Sequence, residues 1–118
     1  MITNYFYDNE FFFDFERNCR GLGIKVPLLP GIMPVYSAKM MENLEALCGA
    51  TITREIRDGI AKLPQGDAAA LQAFGVEFAL SQCRGLVKNG VPGLHFYTMD
   101  RSAAVVPIVK SLRAEGLL

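Results

Sequence analysis

The stretch HFYTMDR, residues 95–101, sets polar, chemistry-bearing groups directly after an apolar and aromatic run. It presents the Thr98 hydroxyl, the Asp100 carboxylate and the Arg101 guanidinium almost in succession. A guanidinium is a planar fork of donors that matches a carboxylate or a phosphate, so Arg101 reads as an anion-facing group. The same spacing also suits a plain loop before a helix, with Asp100 or Ser102 as cap and Arg101 in water. His95 is the only histidine and lies between Leu94 and Phe96. It reads as a buried, satisfied imidazole, or one turned to a helix layer, rather than as a base. Tyr5, Phe6 and Tyr7 could form a platform for a flat ligand, but such a triplet also fills both faces of a buried strand. Gly31, Gly90 and Gly93 do not make a GxGxxG after a strand, so no dinucleotide fingerprint is present. Asp8, Glu10 and Asp14 read as helix-start and solvent charges.

Composition narrows the class. With 51% apolar and 20% charged residues, the 118-residue chain is expected to form one globular domain over 1–118. Lys plus Arg and Asp plus Glu each total 12, so no net field would hold a nucleic acid or an anionic membrane. Cys19, Cys48 and Cys83 lack CxxC spacing, which suits buried reduced thiols rather than disulfides or a metal site. MITNYFYDNE is not a signal peptide, and no run of 18 apolar residues occurs, so a cytoplasmic location is expected.

The elements that must position these groups alternate. Ile2 to Tyr7 reads as a first strand closed by Asp8-Asn9, and Glu10 to Leu22 as a helix with Phe11, Phe12, Phe15, Cys19 and Leu22 at helical spacing before Gly23. Ile24 to Leu29 reads as a second strand ending at Pro30-Gly31. Ser37 then caps a helix over Ala38 to Cys48. A short helix follows over Thr53 to Leu63. Asp67 caps the longest, Ala68 to Lys88, with Leu71, Phe74, Phe78 and Leu86 near one stripe. Leu94 to Tyr97 is a third strand, and Ser102 to Glu115 a closing helix. Strands alternating with helices imply a parallel sheet covered by helices, with its chemistry at the strands' carboxyl ends. Those ends are Asn4 to Asp8, Pro30 to Tyr36 and Thr98 to Arg101. A (β/α)8 TIM barrel takes about 250 residues. The chain therefore reads as the carboxyl-terminal three-eighths of a barrel, an α/β fold of three parallel strands with covering helices. A small open α/β layer is the alternative.

The order ITNYFYD, GIKVPLLPGIMPV, FGVEF and VPGLHFYTMDR resembles the carboxyl-terminal part of methylenetetrahydrofolate reductase, over essentially the whole chain. PGIMPV and HFYTMDR are its specific pieces. The resemblance implies a TIM barrel that holds FAD and reduces 5,10-methylenetetrahydrofolate to 5-methyltetrahydrofolate with NADH or NADPH, in one-carbon metabolism. By position, it implies substrate contacts at Asn4, Met40, Leu44 and Arg101, where the family carries glutamine, glutamine, an aromatic or apolar group, and arginine. Only Arg101 keeps its type. Asn4 keeps an amide one methylene shorter, whereas Met40 cannot replace an amide and Leu44 has no aromatic face. The resemblance also implies cofactor contacts at Ile2 and Asn4. The family's acidic group that protonates substrate N10, and most FAD contacts, belong to earlier strands, so no catalytic residue is assigned here. The first strand begins abruptly at Met1-Ile2, and the isolated chain is expected to be an inactive part of a reductase lacking the amino-terminal barrel portion. A non-catalytic module that forms homo-oligomers or binds a partner through its open edge is the second expectation.

Overall fold

The structure, a computed structural model, describes residues 1–118; the side chain of Cys48, expected to be a buried thiol, lies outside the described residues. Three parallel strands stand side by side in chain order: β1 Ile2–Tyr5, β2 Leu29–Ile32 and β3 His95–Phe96. Helix α1 (Asn9–Gly21) connects β1 to β2. Helices α2 (Ala38–Cys48), α3 (Arg54–Ala61) and α4 (Ala68–Lys88) connect β2 to β3, and α5 (Ser102–Ala114) closes the chain. The alternating α/β order is as the sequence implies.

Local chemistry explains the helix starts. Side chains of Asp8, Ser37, Thr53 and Asp67 accept hydrogen bonds from the backbone N–H groups of Glu10, Met40, Ile56 and Ala70, each satisfying a donor that a first turn leaves free. Helix α5 differs. It begins after Arg101 without a side-chain cap, so neither Asp100 nor Ser102 takes that expected role.

The second strand lies later than its apolar pattern predicts. Ile24 and Val26 are exposed, and Arg20 donates to the carbonyls of Ile24 and Val26 at 2.8 and 2.9 Å. That run is held by a guanidinium instead of a ladder. The strand instead contains Pro30-Gly31, read from sequence as its terminator. Its register explains why proline is tolerated. Leu29 N–H donates to Met1 O and Gly31 N–H to Thr3 Oγ1, so the intervening position points toward β3, whose paired stretch begins only at His95.

Alternation along the strands divides the side chains. Phe6, Ile32 and Phe96 join Phe12 and Cys19 of α1, Leu80, Cys83 and Leu86 of α4, and Ile108 and Leu112 of α5 in the main core. Tyr5 and Tyr7 point the other way and pack with Val35, Met41, Ile52 and Ile56. The aromatic triplet thus fills both faces. His95 lies opposite Phe96, with its ring 4.9 Å from that of Tyr97, so it is not turned to the helix layer as one expectation held. Helix α4 serves both clusters instead of one stripe: Leu71, Phe74 and Phe78 face the second, whereas Ala79, Leu80, Cys83 and Leu86 face the main core. Gln82 is also buried there, and its amide donates to Phe6 O at 2.8 Å. Cys19 and Cys83 are buried free thiols. Among the described residues no helix is long and apolar enough to cross a membrane.

One tie spans the whole sheet. The Tyr97 ring passes over Gly31 of β2, and its phenol donates to Thr3 O of β1 at 2.9 Å. A Cβ on Gly31 would stand 2.6 Å from Thr3 O and 2.7 Å from Tyr97 Cε2, closer than carbon atoms approach. The pairing slips by one residue between Ile2 and Tyr5, a bulge in which side chains complete the ladder. Thr3 Oγ1 accepts from Gly31 N–H and donates to Asn4 O, while Asn4 Oδ1 accepts from Tyr5 N–H.

Gly31→Ala is therefore expected to destabilise the chain by about 1 to 3 kcal/mol through overpacking, and Tyr97→Phe by about 1 kcal/mol through the lost hydrogen bond; denaturant titration checks both. Burial raises the Cys83 thiol from 9.0 to about 12 and pushes the Tyr7 phenol up as well. Both groups stay protonated in the folded chain at pH values where the unfolded chain ionises. Stability should thus be full below about pH 9 and fall above it, by up to about 1.4 kcal/mol per pH unit for each such group. Cys83→Ala should flatten the slope of stability against pH between about pH 9 and 12, whatever its effect on stability at neutral pH.

Candidate functional site at the carboxyl ends of the strands

Parallel strands deliver their carboxyl ends to one side of the sheet, and three segments meet that description: Asp8 after β1, residues 33–37 after β2, and residues 98–101 after β3. Asp8 is committed to capping α1. Met33, Pro34 and Val35 are buried, which leaves Tyr36 as the half-buried side chain where the chain leaves β2.

The corner after β3 is strained. Met99 and Asp100 both adopt left-handed backbone conformations, at φ 50° and 58°, and Arg101 N–H closes the turn on Thr98 O at 2.8 Å. Non-glycine residues in that region cost on the order of 1 to 3 kcal/mol each, so surrounding contacts must hold them. Tyr36 supplies such a contact. Its phenol lies 3.1 Å from Tyr97 O and 3.0 Å from Thr98 O, so its single proton serves the two carbonyls that enter the turn. Burial raises the Tyr36 phenol above its ordinary range, and the nearby Arg101 charge partly offsets that, which leaves a protonated donor at neutral pH.

Arg101 is exposed, with its guanidinium carbon 5.8 Å from the centre of the Tyr36 ring. That is cation–π range. No carboxylate is paired with it among the described residues, as with Arg20, Arg54 and Arg113, whereas Arg17, Arg57 and Arg84 meet Asp14, Glu45 and Glu115. A cation held over an aromatic face and lacking an internal counter-ion can receive a carboxylate or phosphate from outside.

The remaining sequence-predicted positions are distributed differently. Asn4 sits in the β1 bulge with its amide oxygen occupied by Tyr5 N–H. With Ile2, Phe11 and Phe15 it lines a hollow of about 350 Å³ along β1 and α1, on the side of the sheet that has no neighbouring strand. Met40 is half-buried in the first turn of α2, and Leu44, one turn on, packs against the second cluster. The structure thus joins Arg101 to Tyr36, while Asn4 and Ile2 belong to the open edge. Tyr36 was not singled out from the sequence. A tyrosine just ahead of a capping serine carries no motif, and only the packing of β2 beside β3 brings it under the corner.

A second hollow, of about 510 Å³, lies between the end of β1 and helices α3 and α4. Tyr7 and Gln82 reach its lining, and the buried Tyr7 phenol, Asn9 Oδ1 and Gln82 Oε1 have no partner among the described residues. No group of three or more His, Cys, Asp or Glu side chains among the described residues could hold a metal ion.

Sequence comparison identifies the family. The profile of the family "Methylenetetrahydrofolate reductase" matches residues 1–113. The chain is 36% identical over 113 residues to a Caenorhabditis elegans "Probable methylenetetrahydrofolate reductase (NADPH)", covering 95% of this chain and 17% of that protein. It is 30% identical over 112 residues to an Arabidopsis thaliana "Methylenetetrahydrofolate reductase (NADH) 1", covering 95% and 19%. Against the Escherichia coli "5,10-methylenetetrahydrofolate reductase" the identity is 29% over 114 residues, covering 94% and 37%. The chain spans less than two fifths of the length of each of these relatives. With a match that runs from the first strand into the last helix, this chain belongs to the methylenetetrahydrofolate reductase family.

Proposed function

We propose that these residues form the last three βα units of a (β/α)8 reductase that converts 5,10-methylenetetrahydrofolate to 5-methyltetrahydrofolate with NADH or NADPH. The observation that carries this reading is Arg101, a cation without a counter-ion on a strained turn at a strand's carboxyl end, within the HFYTMDR motif. The folate tail ends in carboxylates, and a guanidinium is the side chain that holds a carboxylate by two parallel hydrogen bonds. Met40 and Leu44 would offer apolar contact to the flat part of the substrate, and Asn4 an amide edge.

FAD supplies the hydride relay in such an enzyme when bound. The residues present do not fit it as a complete site. Ile2 is an exposed apolar contact, Asn4 Oδ1 is already engaged, and the lining of the hollow along β1 includes no lysine or arginine to meet a pyrophosphate. Holding FAD therefore falls to chain beyond these residues, and the role of the present ones is to bind and orient folate in a cytoplasmic enzyme.

A second reading has its own observation. Ile2, Phe11 and Phe15 are 48%, 47% and 43% exposed along the free edge of β1, as a homo-oligomeric or partner-binding module would require.

In the natural polypeptide that carries these residues, Arg101→Ala should raise the folate KM by roughly 10- to 100-fold, the effect of losing a charge-assisted hydrogen bond of about 1.5 to 3 kcal/mol, with flavin content unchanged. Unaltered folate kinetics would remove Arg101 from the site. The 118-residue chain, expressed alone, should purify colourless, and a stoichiometric flavin absorbance near 450 nm, roughly the usual flavin band, would contradict the assignment of FAD to other parts of the protein.

A further inference from the structure

We infer that Tyr36 is the positioning residue for Arg101: it clamps the strained corner after β3 and carries the guanidinium on its ring, so that the cation is set toward an incoming carboxylate before substrate arrives. The inference rests on the folate reading of Arg101 given above.

Three observations converge on it. The Tyr36 phenol reaches both Tyr97 O and Thr98 O, the carbonyls on either side of the bond where the strand becomes the turn. Beyond it stand Met99 and Asp100, whose left-handed backbone has no glycine to ease it, and whose side chains are exposed. The Arg101 guanidinium then folds back over the same tyrosine, 5.8 Å from the ring centre. One side chain thus touches the turn at its start and at its end.

The physical consequence is preorganisation. A free arginine has several rotatable bonds to immobilise when it binds an anion, and a guanidinium already resting on an aromatic face has fewer left to lose. A cation–π contact engages the charge without using the guanidinium's N–H donors as hydrogen bonds to a lone pair, so they stay available for a carboxylate. Tyr36 itself is held from below. Met33, Pro34 and Val35 immediately before it are buried, and Ser37 immediately after it caps α2 through Met40 N–H at 3.0 Å. A rigid support on β2 therefore fixes a functional group that follows β3.

Kinetics of the natural polypeptide separate this role from others, using Arg101→Ala, Tyr36→Phe, Tyr36→Leu and the double variant Tyr36→Leu/Arg101→Ala. Tyr36→Leu should raise folate KM about 5- to 10-fold, the equivalent of one hydrogen bond or cation–π contact, with kcat and nicotinamide KM close to the parent values and a thermal midpoint modestly lowered by loss of the phenol's hydrogen bond. Tyr36→Phe keeps the ring and loses the phenol, so it should give a smaller rise. The double variant should match Arg101→Ala alone, because the tyrosine acts through the arginine. If Tyr36→Leu proves too unstable to assay, Tyr36→Phe with faster amide exchange at residues 97–101 carries the test. Folate KM unchanged in the Tyr36 variants while Arg101→Ala raises it would overturn the inference and leave the folate reading intact. Additive effects in the double variant would overturn it as well. Folate KM unchanged in Arg101→Ala would sink the folate reading, and with it this inference.

Discussion

The Tyr97 side chain can cross β2 only because Gly31 has no side chain, and much of the architecture follows from that close approach. Residue 97 is bonded in three directions. Its N–H donates to Ile32 O of β2, its phenol to Thr3 O of β1, and its carbonyl accepts from Tyr36 at the exit of β2. A third strand of only two paired residues would otherwise be a weak partner. Through Tyr97 it is joined to both neighbours, and the corner that follows inherits a fixed origin. The strained Met99-Asp100 turn is held in this setting, close after a tyrosine bonded on three sides.

The helices divide their work around this sheet. Helices α1, α4 and α5 close the main core against Phe6, Ile32 and Phe96, whereas α2 and α3 gather around Tyr7, Val35 and Met41 near the carboxyl ends of the strands. Helix α4 belongs to both clusters, and its Gly75 lets it approach so closely that an added Cβ would stand 2.4 Å from Val35 O. The segment that places Tyr36 is therefore pressed from the helix side and tied from the sheet side. Positioning chemistry at the ends of rigid strands, with helices as buttresses, is how barrel-type α/β folds build sites. The side of β1 without a neighbouring strand, bordered by exposed Ile2, Phe11 and Phe15, is the part of this architecture with no cover.

Much of this was legible before any coordinates. Asp8, Ser37 and Asp67 announce their helices because capping is a local interaction between a side chain and the next turn, and local interactions leave local signatures. The second strand was misplaced for the opposite reason. Ile24 to Leu29 has the right composition, but strand membership is decided by which neighbour's donors and acceptors are in reach, and Arg20 satisfies that segment first. The side to which His95 turns stays open in the sequence because a single position in a short strand has no periodicity to orient it. HFYTMDR pointed to Arg101, while Tyr36 stayed silent: its partners lie 61 and 62 residues further along the chain. Nothing in the spacing of a lone tyrosine encodes such a contact.

On the proposed function, folate is received at the carboxyl ends of these strands, at the corner shared by Tyr36 and Arg101. Hydrogen exchange read by mass spectrometry, on the natural polypeptide with and without 5-methyltetrahydrofolate, tests it most directly. Folate bound at this corner should slow exchange on ligand addition in peptides spanning residues 36–44 and 97–101, with the main-core helix α5 unchanged. Protection confined to other parts of the polypeptide, with both of these segments exchanging as in the free protein, would place the substrate elsewhere and contradict it.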